Sequence, residues 1–389
     1  MKVLILHNIL WAHYKSLVFD ALNEISQKSE DFELLVVQTA RTERSRISMG
    51  NTSSTEVRYP YKLIGEGVLE DVSLKQRILG MLSAIREFKP DVVNITGYYD
   101  LAFWVVLFYC KLHRIKLVLS NESTAVDHIR NGLKEKIKSI FVRQFDGFFN
   151  FGSLSAQYML SLGAQSNQLL VEKNCVDNAT IRTIYDDAKL QAEQTKQNQQ
   201  LKKYNLIFVG RLISFKNLSF LIKAFGLAKS KLSNEWGLII LGDGEEKAKL
   251  ENLTKEQNVE DINFFPGVGW QEVPRYLALA DVLVLPSYSE PWGLVVNEAM
   301  ACAMPVIVSE NCGCAADIVK DGINGFTFNP YDINHFEEIL IAVMNDITKL
   351  EKMGKESERI IAEYTPQKVA EEMYNGFCKC TSLSYYQDK

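Results

Sequence analysis

The stretch ADVLVLPSYSEPWGLVVNEAMACAMPVIVS, residues 280–309, decides the fold. An apolar, β-branched run from Asp281 to Ser287 gives way to a polar loop, then to a helical-period segment from about Gly293. A second β-branched run follows from Pro305 to Glu310. Strand, crossover and strand in that order make a βαβ unit, and apolar runs without alternation suit strands covered on both faces, as in a parallel sheet. Glu290 stands in the loop and Glu298 eight positions later, on the helix. Two carboxylates around an apolar segment are solvated, paired or used.

The same pattern continues on both sides. YNLIFVG (204–210), WGLIILG (236–242) and INFFPG (262–267) read as strands with helices between them. Earlier in the chain KVLILH (2–7), FELLVVQ (32–38), DVVNIT (91–96), KLVLS (116–120) and GFFNFG (147–152) repeat the theme. The expectation is an α/β protein with two Rossmann-like, doubly wound domains facing a cleft, residues 1–177 and 178–365. Between the two sets of strands, residues 186–203 are almost wholly polar and read as a surface helix or linker. In doubly wound sheets ligands bind beyond the carboxyl ends of the strands, so the loops there are where chemistry belongs.

Composition narrows the class. The 389 residues are 47% hydrophobic and 23% charged, with a net charge of −5, which gives no pointer to nucleic acid. Seven scattered cysteines suit a reducing compartment better than a disulfide framework, and none has the spacing of a zinc site. The opening MKVLILHNIL reads as a buried strand rather than a secretory leader. The longest apolar run, residues 101–110, is about half of what a bilayer requires, so the protein is expected in the cytoplasm, soluble or peripheral at the inner membrane face. Residues 133–145 place Leu133, Ile137, Ile140 and Phe141 on one stripe with basic residues elsewhere. Such a helix can rest on anionic lipid, and the favoured reading puts its apolar side in the core.

Arg211 and Lys216 lie in the loop after the strand ending at Gly210. A basic pair at the mouth of a parallel sheet can neutralise a diphosphate without a metal, or can be two solvated charges. Gly242 and Gly244 flank Asp243 in a tight turn. At the start of the helix carrying Glu298, the free amides of Gly293, Leu294 and Val295 form an anion site. Glu290 flanks it on one side, and Glu298, displaced by roughly 7–8 Å along the axis, on the other. A nucleoside diphosphate sugar has this layout of polyol, diphosphate and ribose, and carboxylates accept from hydroxyl groups. The alternative is a capping glutamate and a helix-surface glutamate.

GRLISFKN, LGDGEE, FFPGVGW, the stretch from Ala280 to Ser309 and GCAADIVKDGINGF together resemble the successive blocks of family 4 retaining glycosyltransferases of the GT-B fold, Glu-x7-Glu signature included. The likeness covers residues 204 to about 330 closely and is looser before residue 170. It implies transfer of a hexose, with retention, from a nucleotide sugar (a UDP-sugar first) to a hydroxyl acceptor, a lipid-linked one among the candidates. By the same likeness Arg211 and Lys216 grip the diphosphate, Glu290 holds sugar hydroxyls, and Glu298 binds the ribose. Gly293, Leu294 and Val295 meet diphosphate and sugar, and Val268 contacts the base. No metal and no other cofactor is expected. The setting implied is surface polysaccharide or glycolipid assembly. Residues 366–389 are expected to form a final helix on the first domain.

Departures from the family pattern are local in the second half, where Ala303 stands for a usual glycine, Cys175 for another, and Asp317 for a glutamate. In the first half the glycine-rich loop after strand one is replaced by a stretch carrying His13, Tyr14 and Lys15, candidates for acceptor contact. Where relatives carry a histidine, this chain has Glu122, expected to be partly desolvated and to orient or deprotonate the acceptor, with His128 a second stand-in. A sugar-nucleotide epimerase, a phosphorylase and a non-catalytic nucleotide-sugar binding subunit remain as other readings.

Overall fold

In the computed structural model, residues 1–10, 13–44, 57–125, 132–232 and 235–382 are described. The chain forms two compact units, residues 1–175 with the chain from Pro366 onward, and residues 176–365.

The first unit holds a seven-stranded parallel sheet: β1 (Lys2–Ile9), β2 (Glu33–Ala40), β3 (Tyr61–Leu63), β4 (Val92–Thr96), β5 (Lys116–Asn121), β6 (Gly147–Asn150) and β7 (Leu169–Glu172). The second holds six: β8 (Tyr204–Val209), β9 (Trp236–Leu241), β10 (Ile262–Phe265), β11 (Val282–Leu285), β12 (Val306–Ser309) and β13 (Gly325–Phe328). The spatial orders are β3-β2-β1-β4-β5-β6-β7 and β10-β9-β8-β11-β12-β13. In both, the order reverses beside the first strand of the unit, at β1/β4 and at β8/β11. That reversal splays the loops above it and opens the crevice where doubly wound sheets bind ligands.

The strands form where they do because helices cover both faces. β11 and β12 are buried at every position, and Leu283 sits in register with Ile207 on one side and Val306 on the other. The helix Pro366–Ser382 joins the core of the first unit through Val369, Ala370, Met373 and Phe377, beside Val3, Ile5 and Phe19. The polar stretch after residue 178 forms two helices, Asn178–Lys189 and Ala192–Asn198. Lys196 is buried there and donates to the Lys203 carbonyl at 2.7 Å, so a polar sequence hides a satisfied lysine.

The helix Leu294–Ala301 ends in a two-bond αL cap: the Ala303 N–H donates to the Met300 carbonyl and the Met304 N–H to that of Ala299, both at 3.0 Å. Ala303 takes the left-handed conformation this cap requires, at φ 53°. A Cβ there costs about 1–2 kcal/mol, of which the looser unfolded chain of a glycine variant takes back ~0.4–1. Ala303→Gly is therefore expected to stabilise by ~0.5–1 kcal/mol in urea unfolding, and a destabilised variant would contradict the cap geometry.

Candidate active site

The site of the second unit is assembled from loops that follow β8, β9, β10, β11 and β12. After β8, the Leu212 N–H donates to the Asp243 carbonyl and the Leu212 carbonyl accepts from Glu246, each at 2.9 Å, which ties this loop to the one after β9. Asp243 reaches on to the loop after β10, where its carboxylate accepts the Gly267 N–H at 2.6 Å and pairs with Lys247 at 3.1 Å. The Gly267 hydrogen bond first, then Lys247, holds this carboxyl below its ordinary range. Val268, half-buried, follows directly on Gly267.

The loop after β11 is held from two sides. Tyr288 donates its N–H to the Phe215 carbonyl at 2.9 Å, joining it to the β8 loop. On the other side Gly313 donates to the Glu290 carbonyl at 2.8 Å and Cys314 to the Trp292 carbonyl at 3.1 Å. Trp292 is buried, and its indole N–H donates to the Asn297 side chain at 2.8 Å, fixing the loop to the helix that follows. Gly293 is that helix's N-cap at φ 97°, and a Cβ there would lie 2.8 Å from Leu285 and 3.4 Å from the Glu290 side chain. Glycine is required at this corner, and it leaves the first-turn amides of Leu294 and Val295 at the helix mouth.

Across the reversal point between β8 and β11, the Lys216 ammonium and the Glu290 carboxylate form an ion pair, with side chains only 16% and 19% exposed. Residues 74 positions apart thus meet beside a helix N-terminus. Arg211 opens the same loop as Lys216 and is exposed. Glu298 is 7% exposed, so the alternative of a solvated helix-surface glutamate does not hold. Its neighbour Cys302 has its thiol pushed well above the ordinary value, by burial first and then by Glu298. Asp317 lies in the first turn of the short helix Ala315–Ile318.

Sequence reasoning missed the aromatic groups beside this pair. Tyr288 and Tyr331 stack at 5.1 Å between ring centroids, and with Phe215 they are exposed by 36%, 72% and 59%. Exposed aromatic residues in three separate loops carry no periodicity, so only the fold could bring them together.

Residues 191–360 match the family model described as Glycosyl transferases group 1. Among curated relatives, an uncharacterized glycosyltransferase of Haemophilus influenzae is 32% identical over 44% of this chain and 48% of its own length. Another, of Methanocaldococcus jannaschii, is 27% identical over 68% of this chain and 64% of its own. The chain thus spans about half to two thirds of the length of these relatives. Anabaena HepE, solved in complex with UDP and glucose, superposes with a TM-score of 0.74 at 17% identity, covering 97% of this chain and all of that one. Sucrose-phosphate synthase of Thermosynechococcus elongatus gives 0.75 at 16% identity over 98% of this chain. The fold is the GT-B fold of these glycosyltransferases, and the group 1 match falls on the unit that holds the Lys216–Glu290 pair.

In the first unit the corresponding loops follow β1, β4 and β5. His13, Tyr14 and Lys15 are not in the loop after β1, where the sequence suggests them, but form the first turn of the helix His13–Lys28. The rings of His13 and Tyr14 are in contact at 5.1 Å. Glu122 follows β5, and its side chain is 53% exposed rather than desolvated, with the Lys15 ammonium 3.9 Å away. Lys15 also lies 3.2 Å from the ring centroid of Phe151, and burial pushes its ammonium below the ordinary value while Glu122 pulls it back up. Behind it a cavity of about 40 Å³ touches His7, Asn94, Ser120 and Asn150. Asn150 is fully buried, with neither side-chain polar atom hydrogen-bonded. His128 lies outside the described residues.

Proposed function

We propose that this chain is a retaining, metal-independent hexosyltransferase of family 4 that uses a nucleoside diphosphate sugar, UDP-linked first among donors, and a hydroxyl acceptor. The observation that carries the reading is the Lys216–Glu290 pair at the β8/β11 reversal, one loop away from an open helix N-terminus. Lys216, Arg211 and the amides of Leu294 and Val295 receive the charge that develops on the leaving diphosphate, in place of a metal. A diphosphate at Lys216 frees the Glu290 carboxylate for sugar hydroxyls. In the step proposed, the bond between the anomeric carbon and the diphosphate oxygen breaks, and the acceptor oxygen bonds to that carbon on the same face. The acceptor proton passes to the departing phosphate oxygen. Glu298 takes the ribose, Val268 the base, and Glu122, with His13 and Tyr14 on the helix that brings Lys15 to it, orients the acceptor. The setting proposed is cytoplasmic assembly of a surface polysaccharide or glycolipid, with an acceptor carried on lipid.

The test begins with binding. A donor present at a hundred times its Kd adds ~2.7 kcal/mol of stability, so a thermal-shift panel of nucleotide sugars identifies it. Glu298→Ala is expected to weaken binding of the matching nucleoside diphosphate ~10-fold or more by calorimetry, because charge-assisted hydrogen bonds to the ribose are lost. Unchanged nucleotide affinity would remove Glu298 from the ribose. Product formed from the identified donor and read by nuclear magnetic resonance must keep the donor's anomeric configuration; inversion would overturn the mechanism.

A further inference from the structure

The helix Leu101–Leu112 is apolar all round. Its inner side, Ala102, Phe103, Val106, Leu107 and Cys110, is buried, and the outer stripe Leu101, Val105, Phe108 and Leu112 is exposed by 64%, 37%, 65% and 80%. Exposed large apolar groups at i, i+4, i+7 and i+11 on one helix are a second hydrophobic face, which stable monomers do not leave in water without a partner. The helix Gly132–Val142 repeats the feature. Only Phe141 and Val142 of it are buried: Phe141 faces the core as the sequence suggests, while Leu133, Ile137 and Ile140 of the same stripe are 69%, 48% and 60% exposed, against that expectation. The two helices are neighbours: the rings of Trp104 and Phe141 are 4.7 Å apart, and the Lys138 ammonium lies 5.7 Å from the Tyr99 ring. The two stripes therefore belong to one region of the first unit's surface.

Charge decides what covers it. Residues 101–114 and 132–143 contain six Lys and Arg, at Lys111, Arg114, Lys134, Lys136, Lys138 and Arg143, against one acid, Glu135. That acid is engaged by Lys138 at 2.9 Å and by the Tyr158 hydroxyl at 2.9 Å. Lys111, Arg114, Lys134, Lys136 and Arg143 are exposed. A second copy of the chain meeting this face about a twofold axis would set these cations against themselves, which disfavours self-association. An anionic bilayer matches both halves of the pattern, apolar stripes for the acyl boundary and a basic rim for the headgroups. At about 18 Å the longer helix is too short to cross a bilayer, and among the described residues no helix is long and apolar enough to do so.

We propose that the helices Leu101–Leu112 and Gly132–Val142 form a docking face on which the protein lies against an anionic phospholipid surface. This goes beyond the transferase reading and stands without it, since it is tested with no sugar present. The full chain is sedimented with vesicles of phosphatidylcholine alone and of phosphatidylcholine with phosphatidylglycerol. Binding is expected to the anionic vesicles and to fall with added salt. Phe108→Glu with Ile137→Glu should weaken it by ~100-fold or more, at ~10-fold for each apolar side chain withdrawn. Lys134→Glu with Lys136→Glu should weaken it ~10-fold or more and remove its salt dependence. All four positions are exposed, so unchanged thermal melts are expected and confirm that the variants fold. A parent protein left in the supernatant with both vesicle types would overturn the proposal. So would equal binding of parent and Phe108→Glu/Ile137→Glu proteins, or a dimer in sedimentation that this double variant abolishes while vesicles fail to bind.

Discussion

Lys216→Ala is expected to lower the rate of sugar transfer by ~10²–10³, the usual cost of removing one preorganised donor to developing oxyanion charge. The fold fixes where Lys216 stands. Its loop leaves β8 at the reversal point, is clamped to the neighbouring loop through Leu212 and Asp243, and delivers the ammonium to the mouth of the helix Leu294–Ala301. The ion pair with Glu290 confuses a simple reading of the variant, because alanine also leaves a mostly buried carboxylate without its cation. That is expected to cost ~1–3 kcal/mol of stability, visible as an earlier melt. Adding Glu290→Gln removes the stranded charge, so the double variant should regain much of the stability and none of the activity. A purely structural bridge predicts the opposite outcome, a folded double variant whose donor turnover is close to the parent's. Steady-state release of the nucleoside diphosphate, measured beside circular-dichroism melts, separates the two.

How far the amino-acid sequence could be read differs between the units for a physical reason. In the second unit every strand named from sequence is there, because strands covered on both faces are continuous β-branched runs and cannot be confused with the polar loops between them. β3, β7 and β13 escaped notice because each lies at a sheet edge and is only partly buried, so its residues do not form the continuous apolar run of a covered strand. The apolar stripe of the helix Gly132–Val142 was visible, but periodicity shows only that a face needs cover and is silent on what covers it. The loops after β8 and β11 were legible as carriers of Arg211, Lys216 and Glu290, and the helix that follows as the carrier of Glu298. That Lys216 meets Glu290 was not, since no spacing connects residues 74 apart. Nor was the aromatic group of Phe215, Tyr288 and Tyr331, which depends on three loops converging. In the first unit the opening turn of the helix His13–Lys28 looked like loop because no capping residue or amphipathic start announces it.

Gly313→Ala is expected to damage both fold and chemistry, and the reason lies in one close approach. A Cβ on residue 313 would stand 1.9 Å from the Pro291 carbonyl oxygen and 2.7 Å from its carbon, which are backbone atoms without a rotamer to yield. Room can come only from moving the Glu290–Trp292 loop away from the loop after β12. The same glycine's N–H holds the Glu290 carbonyl at 2.8 Å, and the next residue holds that of Trp292 at 3.1 Å, so the movement breaks the latch it pushes against. Overpacking of this kind and the loss of buried hydrogen bonds together cost ~2–4 kcal/mol. For a unit of this size that is a fall in Tm of roughly 5–15 °C. The catalytic consequence follows from the same displacement, since Glu290 and the helix mouth sit on the moved segment, and a shift of about 1 Å costs ~10² in rate. Gly67→Ala is the matched control: a Cβ there meets nothing within 4 Å, so its Tm and turnover should stay with the parent's. If Gly313→Ala melts with the control but transfers sugar ~10²-fold more slowly, the loop moves without unfolding the unit and its placement alone carries the rate. If it matches the control in both, the Glu290 loop tolerates the shift, and positioning of Glu290 by its neighbours ceases to be part of the mechanism.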